Sequence, residues 1–151
     1  MAKCGLFLAD HSSLQAARAT NIVAFDGKDW HTFGDGVGLT HGPQFDEVLA
    51  IEAYQGNLYV GGSFDTASGV AANNVAYWDG TSWHPLGVGA SSIVTALHCY
   101  QDKLFVGGYF NSVGGIPFSG GLATWDGTDW NGFHPIATFG GTGNVSSLEV
   151  V

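Results

Sequence analysis

The chain has 151 residues, 24 of them Gly and 4 Pro, with 45% apolar residues, 11% charged residues and a formal net charge of −9. Its Lys and Arg residues are Lys3, Arg18, Lys28 and Lys103, too few for the basic footprint that nucleic acid or an anionic membrane surface requires. No stretch approaches the roughly 18 consecutive apolar residues of a membrane-spanning helix, and abundant Gly among apolar segments is the composition of many short strands joined by tight turns.

Taken in order, the chain starts with Leu6-Phe7-Leu8-Ala9-Asp10. This apolar run is too short for a signal sequence, and it aligns with strands further on, so a strand is expected over 6–10. Strands are expected next over 21–25 and 28–33. The middle of the chain is the clearest part. Strand a is expected over 48–54, a short hairpin turn over 55–57, and strand b over 58–64. A loop over 65–73 leads to strand c over 74–78. Asp79-Gly80 reads as a two-residue type I′ turn, because Gly accepts the positive φ such a turn demands. Strand d follows over 81–86, with Pro85 placing it at an outer edge. The pattern then recurs, with a over 94–100, b over 104–110, c over 121–125 and d over 128–133. A last strand a is expected over 145–151.

The first unit thus lacks strand a, and the last strand a lacks a unit. Joined head to tail, 145–151 and 1–10 reproduce the a–b hairpin. The Asp-Gly turns at Gly27, Gly80 and Gly127 recur about every 50 residues, and the interval from Gly127 round through the termini to Gly27 is of similar size. The expected organisation is one domain, 1–151, with units at about 1–47, 48–93 and 94–144 and strand 145–151 closing the circle.

Four antiparallel strands per unit at this spacing is the pattern of a β-propeller blade. The chain resembles propeller repeats of the kelch and galactose-oxidase type. The resemblance rests on Gly61-Gly62 and Gly107-Gly108 in strand b. It rests also on the Trp78/Trp83 and Trp125/Trp130 pairs around Asp79-Gly80 and Asp126-Gly127. Leu58-Tyr59-Val60-Gly61-Gly62-Ser63-Phe64 with Trp78-Asp79-Gly80-Thr81-Ser82-Trp83 is similar to repeats of bacterial and fungal surface proteins. The first unit departs from the pattern: Ala9-Asp10 stands for Gly-Gly and Phe25 for the first Trp. The resemblance implies an all-β fold with three four-stranded blades per chain, the first completed by a C-terminal strand.

Propellers close with about 4 to 8 blades, and a three-blade arc leaves apolar faces and a strand edge open. The expected partner is a second copy in a head-to-tail C2 dimer, each C-terminal strand completing the other copy's first blade in a six-bladed ring. A nine-bladed trimer is the other closed solution. A rotation that closes keeps such a contact from growing into a filament.

No GxSxG, HExxH or P-loop motif is present, and no cofactor is expected. The Gly-rich stretches at 34–38 and 140–143 read as loops. Cys4 and Cys99 lie in no metal-ligand spacing; they read as two packed free thiols or as a disulfide pair. The paired Trp residues read as wedge-filling core, whereas Phe118, Trp130 and Phe139 stand out as aromatic ligand candidates. The meander gathers the long b–c and d–a loops on one face, where binding residues concentrate. Asp10, His11, Asp35, His41, Asp46, Glu47, Asp65 and Asn111 fall there and form the candidate site for a polar ligand or a divalent cation. Glu52, His98 and Glu149 take equivalent positions on strand a, the expected innermost strand. They suggest a polar ring in a central channel, with oxygen and imidazole ligands for a metal. His31, His84 and His134 follow the strand-d Trp residues as outer surface groups.

The expected function is a non-enzymatic binding or structural scaffold that assembles with itself. The alternatives are a lectin using the long-loop face and a propeller enzyme, an oxidase or a glycan-active one. A glycan or a protein surface is the expected ligand class, and nucleic acid and membrane insertion are not. Few charges and loops rich in Gly, Thr, Ser and Asn fit an extracellular or surface-associated setting.

Overall fold

The computed structural model describes residues 22–25, 27–38, 47–117, 120–132 and 145–148, and among them all regular structure is antiparallel β with no helix. The strands in chain order begin with β1 (Val23–Phe25), β2 (Trp30–Thr32), β3 (Val37–Gly38), β4 (Glu47–Tyr54) and β5 (Asn57–Ser63). Next come β6 (Thr66–Ala67), β7 (Val70–Ala71), β8 (Val75–Trp78), β9 (Trp83–Pro85) and β10 (Val94–Tyr100). The chain continues through β11 (Lys103–Gly108), β12 (Ser112–Val113), β13 (Ile116–Pro117), β14 (Leu122–Trp125) and β15 (Trp130–Gly132).

Two four-stranded meanders dominate: β4-β5-β8-β9 and β10-β11-β14-β15. Their registers correspond. Tyr54 lies opposite Asn57 and Tyr100 opposite Lys103; Trp78 lies opposite Trp83 and Trp125 opposite Trp130. In each sheet the first strand bulges at the same place, between Val48 and Ala50 and between Val94 and Ala96. β1 and β2 pair Phe25 with Trp30 in the same way. Pro85 sits opposite Ala76 in the last strand of its sheet, where its missing N–H breaks no ladder.

The tight turns differ from the sequence expectation. The two-residue positive-φ turns join the first two strands: Gln55 and Gly56 have φ of 49° and 79°, Gln101 and Asp102 of 48° and 56°. Asp79-Gly80 is instead the first half of a four-residue connection between the paired Trp78 and Trp83. The cause is the Asp side chain. Asp79 Oδ1 accepts from the N–H of Thr81 (2.7 Å) and of Ser82 (2.8 Å) and from the Thr81 hydroxyl (2.7 Å). A carboxylate filled by local donors stabilises a wider turn than Gly alone would. Asp126 does the same with Thr128 and Asp129.

The expected long loops also carry structure. β6 and β7 form a hairpin, and β3 joins it with Val37 opposite Ala67. β12 and β13 form the corresponding hairpin after β11, with Ala90 bridging to Val113. Among the described residues, the connections after β2 and β9 are therefore each tied to the hairpin of the following sheet. Expected strand d over 81–86 shortens to β9. Residues 145–148 form no strand, and the expected strand over 6–10 lies outside the described residues.

The sheets stack through two cores. Tyr59, Val75, Leu97, Leu104, Val106, Trp125 and Trp130 lie in the core between the two meanders. Val60, Ala76 and Trp83, from the opposite face of the β4-β5-β8-β9 sheet, pack with Ile22, Val37, Phe64 and Ala67. That sheet is thus buried on both faces, each buried Val, Leu or Phe contributing about 1.5–3 kcal/mol. The Gly-Gly pairs permit the stacking. A Cβ at Gly61 would strike the Val94 side chain of the neighbouring sheet, and one at Gly62 the carbonyl of Glu47 just before the bulge. Gly107 and Gly108 stand in the same relation to Val145 and Ile93.

Candidate functional site

The described members of the long-loop set are Asp35, Glu47, Asp65 and Asn111. Glu47 opens β4 opposite Ser63 and is exposed. Asp65 follows β5; its N–H donates to Gly38 O (3.0 Å) and its carbonyl accepts from Ala72 N (2.8 Å). Asp35 lies beyond β2, its N–H donating to Ser68 Oγ (2.9 Å). Asn111 lies next to Ser91, whose hydroxyl donates to Asn111 Oδ1 (3.0 Å) and accepts from the N–H of Asn111 and of Ser112. Among the described residues no group of three or more His, Cys, Asp or Glu side chains is arranged to hold a metal ion. Asp10, His11, His41 and Asp46 lie outside the described residues, as do Phe118 and Phe139.

A concavity is made by residues the sequence reading left unassigned. A cleft of about 380 Å³ is lined by Asn73, Asn74, Val88, Ser91, Ser112 and Gly115, among others. Asn73 Nδ2 donates to Val88 O (2.8 Å), Asn74 Nδ2 to Ala90 O (2.9 Å), and Ala90 N to Asn73 O (2.9 Å). The amides therefore fasten the connection after β9 to the segment between β7 and β8. Consecutive Asn residues before a strand are the local signal that marks them, through their preference for turns. The cleft presents amide and hydroxyl groups and the apolar side chains of Val88 and Ala90.

On the first strands of the two meanders, β4 and β10, Glu52 and His98 hold equivalent positions, opposite Tyr59 and Phe105. Glu52 is directed across to the neighbouring sheet: its Oε1 accepts from Cys99 N (3.1 Å). A carboxylate engaged by a backbone N–H of the neighbouring sheet ties the two sheets together. Burial, then the adjacent Glu52 carboxylate, raise the Cys99 thiol above its usual pKa. Cys99 is a free thiol. Glu149 and Cys4 lie outside the described residues.

The strand-d Trp residues bind backbone. Trp83 Nε1 donates to Phe33 O and Trp130 Nε1 to Leu86 O, both at 2.7 Å. Trp130, an aromatic ligand candidate from its sequence, is 8% exposed and belongs to the core. A Ser82–His84–Asp79 cluster lies on the outer strand. Both Ser82 Oγ (3.3 Å) and Asp79 Oδ2 (2.7 Å) meet His84 Nε2. A nucleophile–base–acid relay needs the two imidazole nitrogens engaged separately, so this cluster is not one. The His84 ring stacks on Tyr77 at 4.9 Å.

The turn carboxylates set a pH dependence. The Ser82 N–H, then the Thr81 hydroxyl and N–H and His84, hold the Asp79 carboxyl well below the usual carboxylate range. The N–H groups of Asp129 and Thr128 lower Asp126 likewise. A depressed folded-state pKa contributes stability above the unfolded value, about 4, and that contribution is lost as the pH falls through the folded value. The Asp79→Asn/Asp126→Asn variant is expected to show a shallower fall in urea midpoint between about pH 5 and pH 2 than the parent. Circular dichroism titrations at each pH measure this, and parallel curves would refute it.

Comparison of the chain with protein-family models finds no match, and comparison with curated proteins finds none.

Proposed function

We propose that the chain is a non-enzymatic β-propeller module of three four-stranded blades. Two copies close a six-bladed ring by exchanging C-terminal segments, and the ring serves as a binding or structural scaffold. The supporting observation is the seat of Val145. Its side chain lies against Gly107, as that of Val94 lies against Gly61. Val145 N donates to Gly108 O (3.2 Å), and its carbonyl accepts from Thr95 Oγ1 (2.6 Å). The C-terminal segment thus begins, beside the β10-β11-β14-β15 sheet, the place that β10 takes beside the preceding sheet. In a closed ring that place belongs to the innermost strand of the next blade.

Sedimentation equilibrium tests the proposal. The expected mass is twice the 15.8 kDa of the chain, with a chain ending at Asn144 unable to form that species. A stable monomer at micromolar concentration overturns the reading, and three times the chain mass replaces the six-bladed ring with a nine-bladed one.

A further inference from the structure

Within one chain, the turn after β4 reaches the next sheet through a pair of side chains. Tyr54 Oη donates to Asp102 O (2.7 Å). Gln55 Nε2 donates to Tyr54 Oη (2.8 Å) and to Asp126 O (3.3 Å). Gln55 Oε1 lies over Gly127, only 2.6 Å from where a Cβ would stand. The arrangement buries Tyr54 to 3% exposure.

The sequence contains two Tyr-Gln pairs, Tyr54-Gln55 and Tyr100-Gln101. The second sits at the same register in its sheet, and Gln101 has the φ of Gln55 to within a degree, 48° against 49°. Gln101 Nε2 donates to Tyr100 Oη (3.2 Å), so the two side chains are already joined. Yet Tyr100 is 42% exposed. The counterpart of Gly127 in the first unit is Gly27. Its φ of 100° matches the 107° of Gly127, and nothing lies within 4 Å of where its Cβ would be. Gly80 is open too, but no Tyr-Gln pair precedes it by one unit. Tyr100-Gln101 and Gly27 belong to the two units that flank the β4-β5-β8-β9 sheet.

We infer that Tyr100 and Gln101 of one copy dock on the turn at Gly27 of a second copy, reproducing between chains the latch that Tyr54 and Gln55 make within one. The inference rests on the self-assembly proposed above and assigns its contact residues. Burying an aromatic ring with a satisfied hydroxyl at the centre of an interface is the kind of contact that dominates association. The Gln amide meets a turn whose Gly leaves room for it. An extra side chain at Gly27 is barred by its positive φ.

The full-length chain carrying benzoylphenylalanine in place of Tyr100, mixed with ¹⁵N-labelled wild-type chain and irradiated, tests this directly. The expected product joins an unlabelled to a labelled chain at the peptide that contains Gly27. In parallel, Tyr100→Ala is expected to weaken self-association about tenfold or more with an unchanged far-UV spectrum, the side chain being exposed in the single chain. A wild-type dimer whose crosslinks fall elsewhere or within one chain, or which Tyr100→Ala leaves at full strength, overturns the latch alone. A wild-type chain that stays monomeric overturns the latch together with the assembly.

Discussion

Gly62→Ala is expected to cost at least about 3 kcal/mol, the upper end of the overpacking range, and to lower Tm by about 10 °C for a chain of this size. The added methyl meets Glu47 O, with Glu47 C at 2.9 Å and Val48 Cα at 3.1 Å. All three are backbone atoms of β4 just before its bulge, so no rotamer change relieves the clash; the strand must move. Gly62 does not have a positive φ, so the cost is steric and not conformational. Gly69→Ala provides the contrast. It has φ of 77° and open space around the Cβ position, so it bears only the left-handed penalty of about 1–2 kcal/mol. Differential scanning calorimetry of the two variants measures both effects. Equal losses would show that the Gly-Gly pair is not a packing device.

Trp130→Ala is expected to lose about 3–5 kcal/mol, as large aromatic truncations in cores do. Trp130 packs on Trp125 with ring centroids 5.2 Å apart. Its ring also closes over Gly114, where a Cβ would lie 2.7 Å from Cγ. Trp130→Phe isolates the hydrogen bond to Leu86 O. That carbonyl also accepts from Gly89 N (3.1 Å), so it keeps a partner, and the hydrogen-bond loss is expected near 1 kcal/mol. Trp83 is built alike: Phe33 O accepts from both its indole and Gly36 N. Urea unfolding followed by circular dichroism measures these losses. A Trp130→Ala chain as stable as the parent would remove the indole from the set of contacts joining the sheets.

The all-β class and the strand segments of the two meanders were legible in the chain, because alternation and Gly punctuation act over a few neighbours. β4, β5, β8, β10 and β14 fall within a residue of their expected bounds, and β11 ends two residues early. The paired short strands β3, β6, β7, β12 and β13 were not, because two residues carry no periodicity and their pairing is set by distant partners. The Asp-Gly turn was placed correctly and typed wrongly: Gly suggested a two-residue turn, while the Asp carboxylate, with three local donors, holds a wider one.

The candidate site divides the same way. Identity and equivalence of Glu52 and His98 follow from the repeat, but whether Glu52 faces a channel or a neighbour depends on how the sheets stack, and there it accepts from Cys99 N. Asn73 and Asn74 acquire their role only when the connection after β9 folds back on them. Tyr54 and Tyr100 are indistinguishable as residues; one is buried and one exposed because the sheet of the first is followed by another sheet, while among the described residues no sheet follows that of the second. By itself the sequence determined the strand segments of the two meanders and the places where they turn, since those follow from local sterics and period. Only the tertiary structure decided which side chains join sheet to sheet, since a hydrogen bond or a buried ring is defined by partners 44 to 71 residues away.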